Sequence, residues 1–140
     1  MTLPSLVRIL LVEDESDIQT VTTLALKALG GFTVEVCSSG SEAIQAAPVF
    51  NPDLILLDVM MPGMDGLSTL KALRDIPRTT TTPVIFMTAK VQSYEVARYK
   101  KLGALAVISK PFDPMTLSET IHSIWRQHHE SLEQSHPDSR

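Results

Sequence analysis

Short, nearly unbroken apolar runs recur along the chain, separated by stretches in which apolar residues return every third or fourth position. The runs are VRILLV at 7–12, FTVEVC at 32–37, DLILL at 53–57, PVIFMT at 83–88 and LAVIS at 105–109. Between the first two, Ile18, Val21, Ala25, Ala28 and Leu29 fall at helical spacing before Gly30 and Gly31 stop the pattern. Strands alternating with helices predict parallel pairing through crossover connections, because two parallel strands cannot be joined by a tight turn. The first, third and fourth runs have few polar interruptions, as in strands covered by helices on both faces. The second alternates like a strand nearer an edge, so strands one, three and four are expected inside the sheet.

Helix starts carry their own signals. Ser39 and Glu42 have capping-box spacing, Asp65 precedes Gly66 and the Leu67/Leu70 stripe, and Asp113-Pro114 fits an N-cap with proline in the first turn. The last helix is then expected over 114–129, burying Leu117, Ile121 and Ile124. After it, ESLEQSHPDSR has little apolar content and is expected to be a disordered tail over 130–140, leaving a folded unit over 5–129.

Composition narrows the class. A chain of 140 residues with 44% hydrophobic and 20% charged residues fits one globular domain. Its apolar runs are far shorter than the ~18 residues of a membrane span, and MTLPSLVR lacks the pattern of an export signal. The expectation is a cytoplasmic protein without membrane insertion. A net charge of −4 gives no reason to expect nucleic acid as a direct partner, and the short tail points to output through protein contacts or to a role as a phosphate relay or sink. Cys37, the only cysteine, has no internal disulfide partner and reads as a small buried hydrophobe.

In an open parallel sheet, ligands bind beyond the carboxyl ends of the strands, so the residues there carry the chemistry. Glu13 and Asp14 follow strand one, Asp58 follows strand three, strand four ends on Thr88, and Lys110 follows strand five. Clustered carboxylates repel one another unless a pKa rises or a cation binds. Hard oxygen ligands without a nearby Cys/His set favour Mg2+. A carboxylate beside such an ion can attack phosphorus to give an aspartyl phosphate, with Lys110 and Thr88 supplying charge and a hydroxyl donor to the phosphoryl oxygens.

With those residues placed, the sequence resembles the receiver domain of two-component response regulators. ILLVEDE at 9–15, DLILLDVMMPGMDG at 53–66, PVIFMTA at 83–89 and SKPFDP at 109–114 match the family's signatures in order and spacing, and the likeness runs from about Val7 to about His129. It implies a flavodoxin-like (βα)5 fold, a doubly wound parallel sheet of five strands in the order 2-1-3-4-5. It also implies that Asp58 is the phosphoacceptor, that Asp14 contacts Mg2+ directly and Glu13 mainly through water, and that the Met60 backbone carbonyl is a further metal ligand. Thr88 matches the switch hydroxyl, Lys110 the lysine that pairs with the phosphoryl group, and Lys110-Pro111 the junction where the family has a cis peptide. The implied donor is a sensor histidine kinase or a histidine phosphotransfer protein, with an unidentified downstream protein as target. Such a domain catalyses only its own phosphorylation and dephosphorylation and turns over no free substrate.

Two features depart from the pattern or vary within it. The family commonly has Tyr or Phe three residues before the lysine; here Val107 stands there, so the output face of helix four, strand five and helix five is expected to respond through other groups, with Tyr94, Tyr99 and Trp125 as candidates. Met60 and Lys90 occupy positions that tune phosphoryl lifetime in the family, and a thioether at 60 cannot orient an attacking water, so dephosphorylation is expected not to be fast. A haloacid-dehalogenase-type phosphatase would need an Asp at 60 as general acid, and a flavodoxin would need a hydroxyl-rich loop where this chain has EDES. The remaining alternative is a phosphorylation-independent docking module with the same fold, although no ligand is missing. His128, His129 and His136 read as solvated surface.

Overall fold

The computed structural model describes residues 4–89 and 92–134. Five strands alternate with helices: β1 Arg8–Val12, α1 Ser16–Leu24, β2 Thr33–Cys37, α2 Gly40–Phe50, β3 Leu54–Asp58, α3 Gly66–Arg74, β4 Val84–Thr88, α4 Ser93–Lys101, β5 Ala106–Ser109 and α5 Leu117–Gln134. All neighbouring strands pair in parallel, in the order β2-β1-β3-β4-β5. The expected order is the observed one, and β1, β3 and β4 lie inside.

Burial explains why the three central runs are apolar. Every residue of β3 and β4 is buried, and alternate side chains feed two separate cores. Leu10, Val12, Ile55, Leu57, Val84 and Phe86 pack under α2, α3 and α4. Ile9, Leu11, Leu54, Leu56, Ile85 and Met87 pack with Leu26, Leu117, Ile121 and Trp125 on the other side. A strand clamped between two cores has no polar face to turn outward, so its register is fixed by both. β2 at the edge alternates instead, with Thr33 and Glu35 exposed.

Two helix starts are as expected. The Ser39 hydroxyl accepts from the Glu42 N–H at 3.1 Å, and Asp65 Oδ1 accepts from the Ser68 N–H at 2.9 Å. The Glu42 carboxylate reaches back to the Ser38 N–H at 3.0 Å, one residue earlier than in the standard box.

Three expectations are corrected. The buried stripe of α1 is Thr22, Ala25 and Leu26, while Val21, Ala28 and Leu29 face solvent. This segment carries apolar residues on several sides, and it widens into a π-helix over Ala25–Leu29, which rotates the face that a regular period would bury. Asp113 caps a turn rather than α5: its carboxylate accepts from the Met115 N–H at 2.9 Å, its carbonyl accepts from the Thr116 N–H at 3.1 Å, and α5 starts at Leu117. That helix also runs to Gln134, so residues 130–134 are helical rather than part of a disordered tail. The buried positions Leu117, Ile121 and Trp125 continue at four-residue spacing into half-buried His129, whose ring lies 4.3 Å from that of Trp125. The rest of the expected tail, His136 included, lies outside the described residues. No helix among the described residues is long and apolar enough to cross a membrane.

The loop after β3 is held by its own backbone, with the Gly66 N–H donating to the Val59 carbonyl at 2.9 Å. A Cβ at Gly66 would sit 2.5 Å from the Asp58 carbonyl oxygen and 2.7 Å from Val59 Cα, both backbone atoms that cannot swing away. Gly66→Ala is therefore expected to cost about 1–3 kcal/mol, as overpacking does. Urea unfolding checks this, and an unchanged midpoint would contradict it.

Candidate functional site

The parallel sheet ends all five strands at one edge, and the chain's chemistry gathers there. Asp58 is the last residue of β3 and Thr88 the last of β4, while Glu13 directly follows β1. Lys110 follows β5, anchored by its N–H to the Thr88 carbonyl at 2.9 Å. The register Val12↔Leu57 places the tips of β1 and β3 side by side, which brings Glu13 next to Asp58.

Lys110 Nζ binds both carboxylates, 3.0 Å from Glu13 Oε1 and 3.3 Å from Asp58 Oδ2. Glu13 is fully buried and also accepts the Glu15 N–H at 3.1 Å on its other oxygen. Asp58 is 2% exposed, and its Oδ1 accepts the Met60 N–H at 3.2 Å. Asp14 completes the acidic group: one oxygen from each of Glu13, Asp14 and Asp58 lies within 4.8 Å of the others. Asp14 Oδ1 is buried and has no hydrogen-bond partner among the described residues.

Electrostatics follow from this burial. Desolvation pushes the Asp58 carboxyl above the ordinary carboxylate range, against the pull of Lys110 and the Met60 N–H. Glu13 is raised for the same reason, opposed by its bond to Lys110 and reinforced by the Asp58 charge. Burial alone would lower Lys110, but its bond to Glu13 and the two negative charges outweigh that and hold its pKa above the usual value. One ammonium thus faces three carboxylates. The donors are hard oxygens, and an orphaned buried carboxylate oxygen is the kind of group a cation satisfies, so the set fits Mg2+.

The strand-end residues named from the sequence therefore come together: Glu13, Asp14, Asp58 and Lys110 in direct proximity, with Thr88 on the adjoining strand. Lys90 lies outside the described residues. Met60 is 62% exposed on the loop rim. The Lys110-Pro111 peptide is cis. Of the aromatics, Tyr94 is exposed, Tyr99 is buried and meets Phe86 edge-on at 5.4 Å, and the Trp125 indole donates to the Pro4 carbonyl at 2.9 Å. His128 and His129 are half-buried rather than solvated, because the Trp125 ring covers His129 and the two imidazoles pack at 5.0 Å. Cys37 is buried, and burial pushes its thiol up to about 11.

One feature of the site surroundings was missed. A pocket of about 420 Å3, lined by Ile18, Val21, Ala89, Pro111 and Phe112 with Asp17 and Lys110, opens beside the charge cluster. Its walls come from α1, the end of β4 and the segment after β5, and the helical spacing of Ile18 and Val21 does not distinguish a pocket wall from a core face.

Residues 9–122 match the family model described as "Response regulator receiver domain". The chain is 37% identical over 119 residues to the transcriptional regulatory protein CseB of Streptomyces avermitilis, covering 85% of this chain and 49% of that protein. It is 35% identical to the alkaline phosphatase synthesis transcriptional regulatory protein PhoP of Bacillus subtilis, covering 86% and 49%. The DNA-binding response regulator MtrA of Mycobacterium tuberculosis is 33% identical, with 86% and 51% covered. The chain thus spans about half the length of these relatives. Among solved structures, the chemotaxis response regulator CheY4 of Vibrio cholerae superposes with a TM-score of 0.79 at 30% identity, covering 86% of this chain and 99% of that one. The expectation that nucleic acid is not a direct partner is overturned by these relatives, which are named as transcriptional or DNA-binding regulators. The charge of this chain reports only on its own surface, not on the other half of such proteins.

The raised Asp58 carboxyl gives a signed expectation. At low pH folded and unfolded chains are both protonated there; as pH rises above about 4 the unfolded chain ionises first, so stability falls until pH passes the raised folded value. Asp58→Asn removes that penalty. It should melt higher than the native chain at pH 7 without added metal, with the gap closing as pH falls toward 4. Equal melting temperatures at pH 7 would contradict this.

Proposed function

The chain belongs to the response regulator receiver domain family, and on that premise we propose that Asp58 accepts a phosphoryl group from a phosphohistidine, with Mg2+ bound at Glu13, Asp14, Asp58 and the Met60 carbonyl. The observation that carries this reading is the Lys110 ammonium held within 3.3 Å of a buried Asp58 beside the orphaned oxygen of Asp14. When bound, Mg2+ supplies charge neutralisation to the phosphoryl oxygens.

The chain's own residues do the rest. An Asp58 oxygen attacks phosphorus as the P–N bond to the donor imidazole breaks, and the leaving nitrogen keeps the electron pair and takes up a proton. Lys110, released from Asp58 as the acyl phosphate forms, stays fixed by Glu13 and turns its remaining donors to a phosphoryl oxygen. Thr88, at the tip of β4, is placed to supply its hydroxyl to another. Positioning and charge account for the chemistry, and the domain acts only on itself.

The donor in this reading is a sensor histidine kinase or a histidine phosphotransfer protein. The apolar pocket beside Lys110, with Val21 on its rim, offers such a partner a surface next to the reacting carboxylate. The names of the relatives point to control of transcription as the process the signal serves. Phosphorylation then shifts the population toward an active form. With Val107 in place of an aromatic, Tyr99 is the ring that links β4 to α4, through its edge contact with Phe86.

Two outcomes are expected. Incubating the chain with Mg2+ and acetyl phosphate adds one phosphoryl mass, which is absent after chelation and in Asp58→Asn; no gain, or a gain that persists in Asp58→Asn, would refute the assignment. Tyr99→Leu should retain phosphoryl uptake but lose the change in α4 amide hydrogen exchange that uptake causes in the native chain. An unaltered exchange response would leave the Tyr99 contact without a role in output.

A further inference from the structure

Of the methionines within the described residues, Met60 and Met115 are exposed, at 62% and 70%. Met61 and Met87 are buried, and Met64 packs its Sδ toward Gly40. Among the described residues, with Met64 half-buried, the two most exposed methionines are therefore Met60 and Met115, and these differ in their surroundings. Met115 lies in the turn before α5, with its N–H on Asp113 Oδ1 at 2.9 Å. The Met60 backbone N–H instead binds Asp58 Oδ1 at 3.2 Å, which holds the loop that carries this exposed side chain to the buried carboxylate two residues before it.

We propose that Met60 is a redox modification site: hydrogen peroxide converts it to the sulfoxide, and this shortens the life of the phosphoryl group on Asp58. The inference rests on the phosphoacceptor reading above and adds a control to it. In the oxidation, a sulfur lone pair attacks one peroxide oxygen, an S–O bond forms as the O–O bond breaks, and the departing hydroxide takes the proton of the sulfur-bound hydroxyl, leaving the sulfoxide and water. Sulfur loses two electrons and peroxide gains them.

The chemical change matters because of what each form can hold. A thioether is a weak acceptor and leaves nearby water unoriented, whereas a sulfoxide oxygen is a strong acceptor. Asp58 is 2% exposed, while Met60, in the loop directly after it, is open to solvent. In this proposal the sulfoxide oxygen, two residues from Asp58 on the exposed loop, accepts a hydrogen bond from the water that attacks the phosphoryl group. Gaining one hydrogen bond to that water in the transition state accelerates hydrolysis about fivefold.

The test uses the full chain and its Met60→Leu, Met60→Gln and Met115→Leu variants. Each is exposed to hydrogen peroxide or left untreated, phosphorylated with Mg2+ and acetyl phosphate, freed of donor, and followed by intact mass. Peptide mapping locates the sulfoxide. The expected result is sulfoxide at Met60, decay about fivefold faster in oxidised native chain and oxidised Met115→Leu, and reversal by a methionine sulfoxide reductase. Met60→Leu should show no peroxide response, and Met60→Gln should decay faster without peroxide. Four results overturn the proposal while Asp58 phosphorylation stands: Met60 left reduced, unchanged or slower decay after its oxidation, an oxidised chain that no longer takes up the group, or the same response in Met60→Leu. Failure of the untreated native chain to take up a phosphoryl group removes the underlying reading and this one together.

Discussion

The Lys110 ammonium lying between Glu13 and Asp58 is the contact on which the site depends. Burying a carboxylate costs several kcal/mol, and here two are buried side by side with a third at their flank. A single cation at 3.0 and 3.3 Å offsets part of that cost, and the raised carboxyl pKa values record what is left. The site is therefore short of positive charge as folded. A divalent cation would remove that deficit, and the lysine is already fixed in place beside Asp58.

Holding like charges together requires a frame that does not yield. β3 supplies it, being buried on both faces and paired along its length with β1 and β4. Its register sets where Asp58 stands relative to Glu13, and a one-residue slip would send the carboxylate to the opposite face. Beyond the strand tip, Gly66 allows α3 to start against the Asp58 carbonyl, a closeness that no Cβ would permit. The same packing that makes the strand apolar thus makes its last residue precise in position, and dry enough for its charge to matter.

Much of this was legible in the sequence because strands buried on both faces leave a plain mark: apolar runs, ended abruptly by Glu13, Asp58, Thr88 and Lys110. Helical faces were harder to read. α1 carries Val21, Leu24 and Leu29 on its exposed side, and its π-helical turn breaks the period by which a stripe is recognised. The true length of α5 was hidden because polar residues dominate its end, where ring stacking of His129 on Trp125 replaces aliphatic burial. Net charge misled on partners, since it is a property of one chain's surface and carries nothing about the remaining length of the relatives. Tyr99, named as one of three aromatics, proved distinct from the exposed Tyr94 only once its edge contact with Phe86 was placed.

A crystal structure of the chain with Mg2+ and beryllofluoride, which mimics a phosphoryl group on a carboxylate, tests the central assignment most directly. The account places the beryllium on an Asp58 oxygen, the metal against Asp14, Asp58 and the Met60 carbonyl, and Lys110 Nζ on a fluoride while it keeps Glu13. Beryllofluoride on any other side chain, or a metal bound away from Asp14 and Asp58, would contradict it.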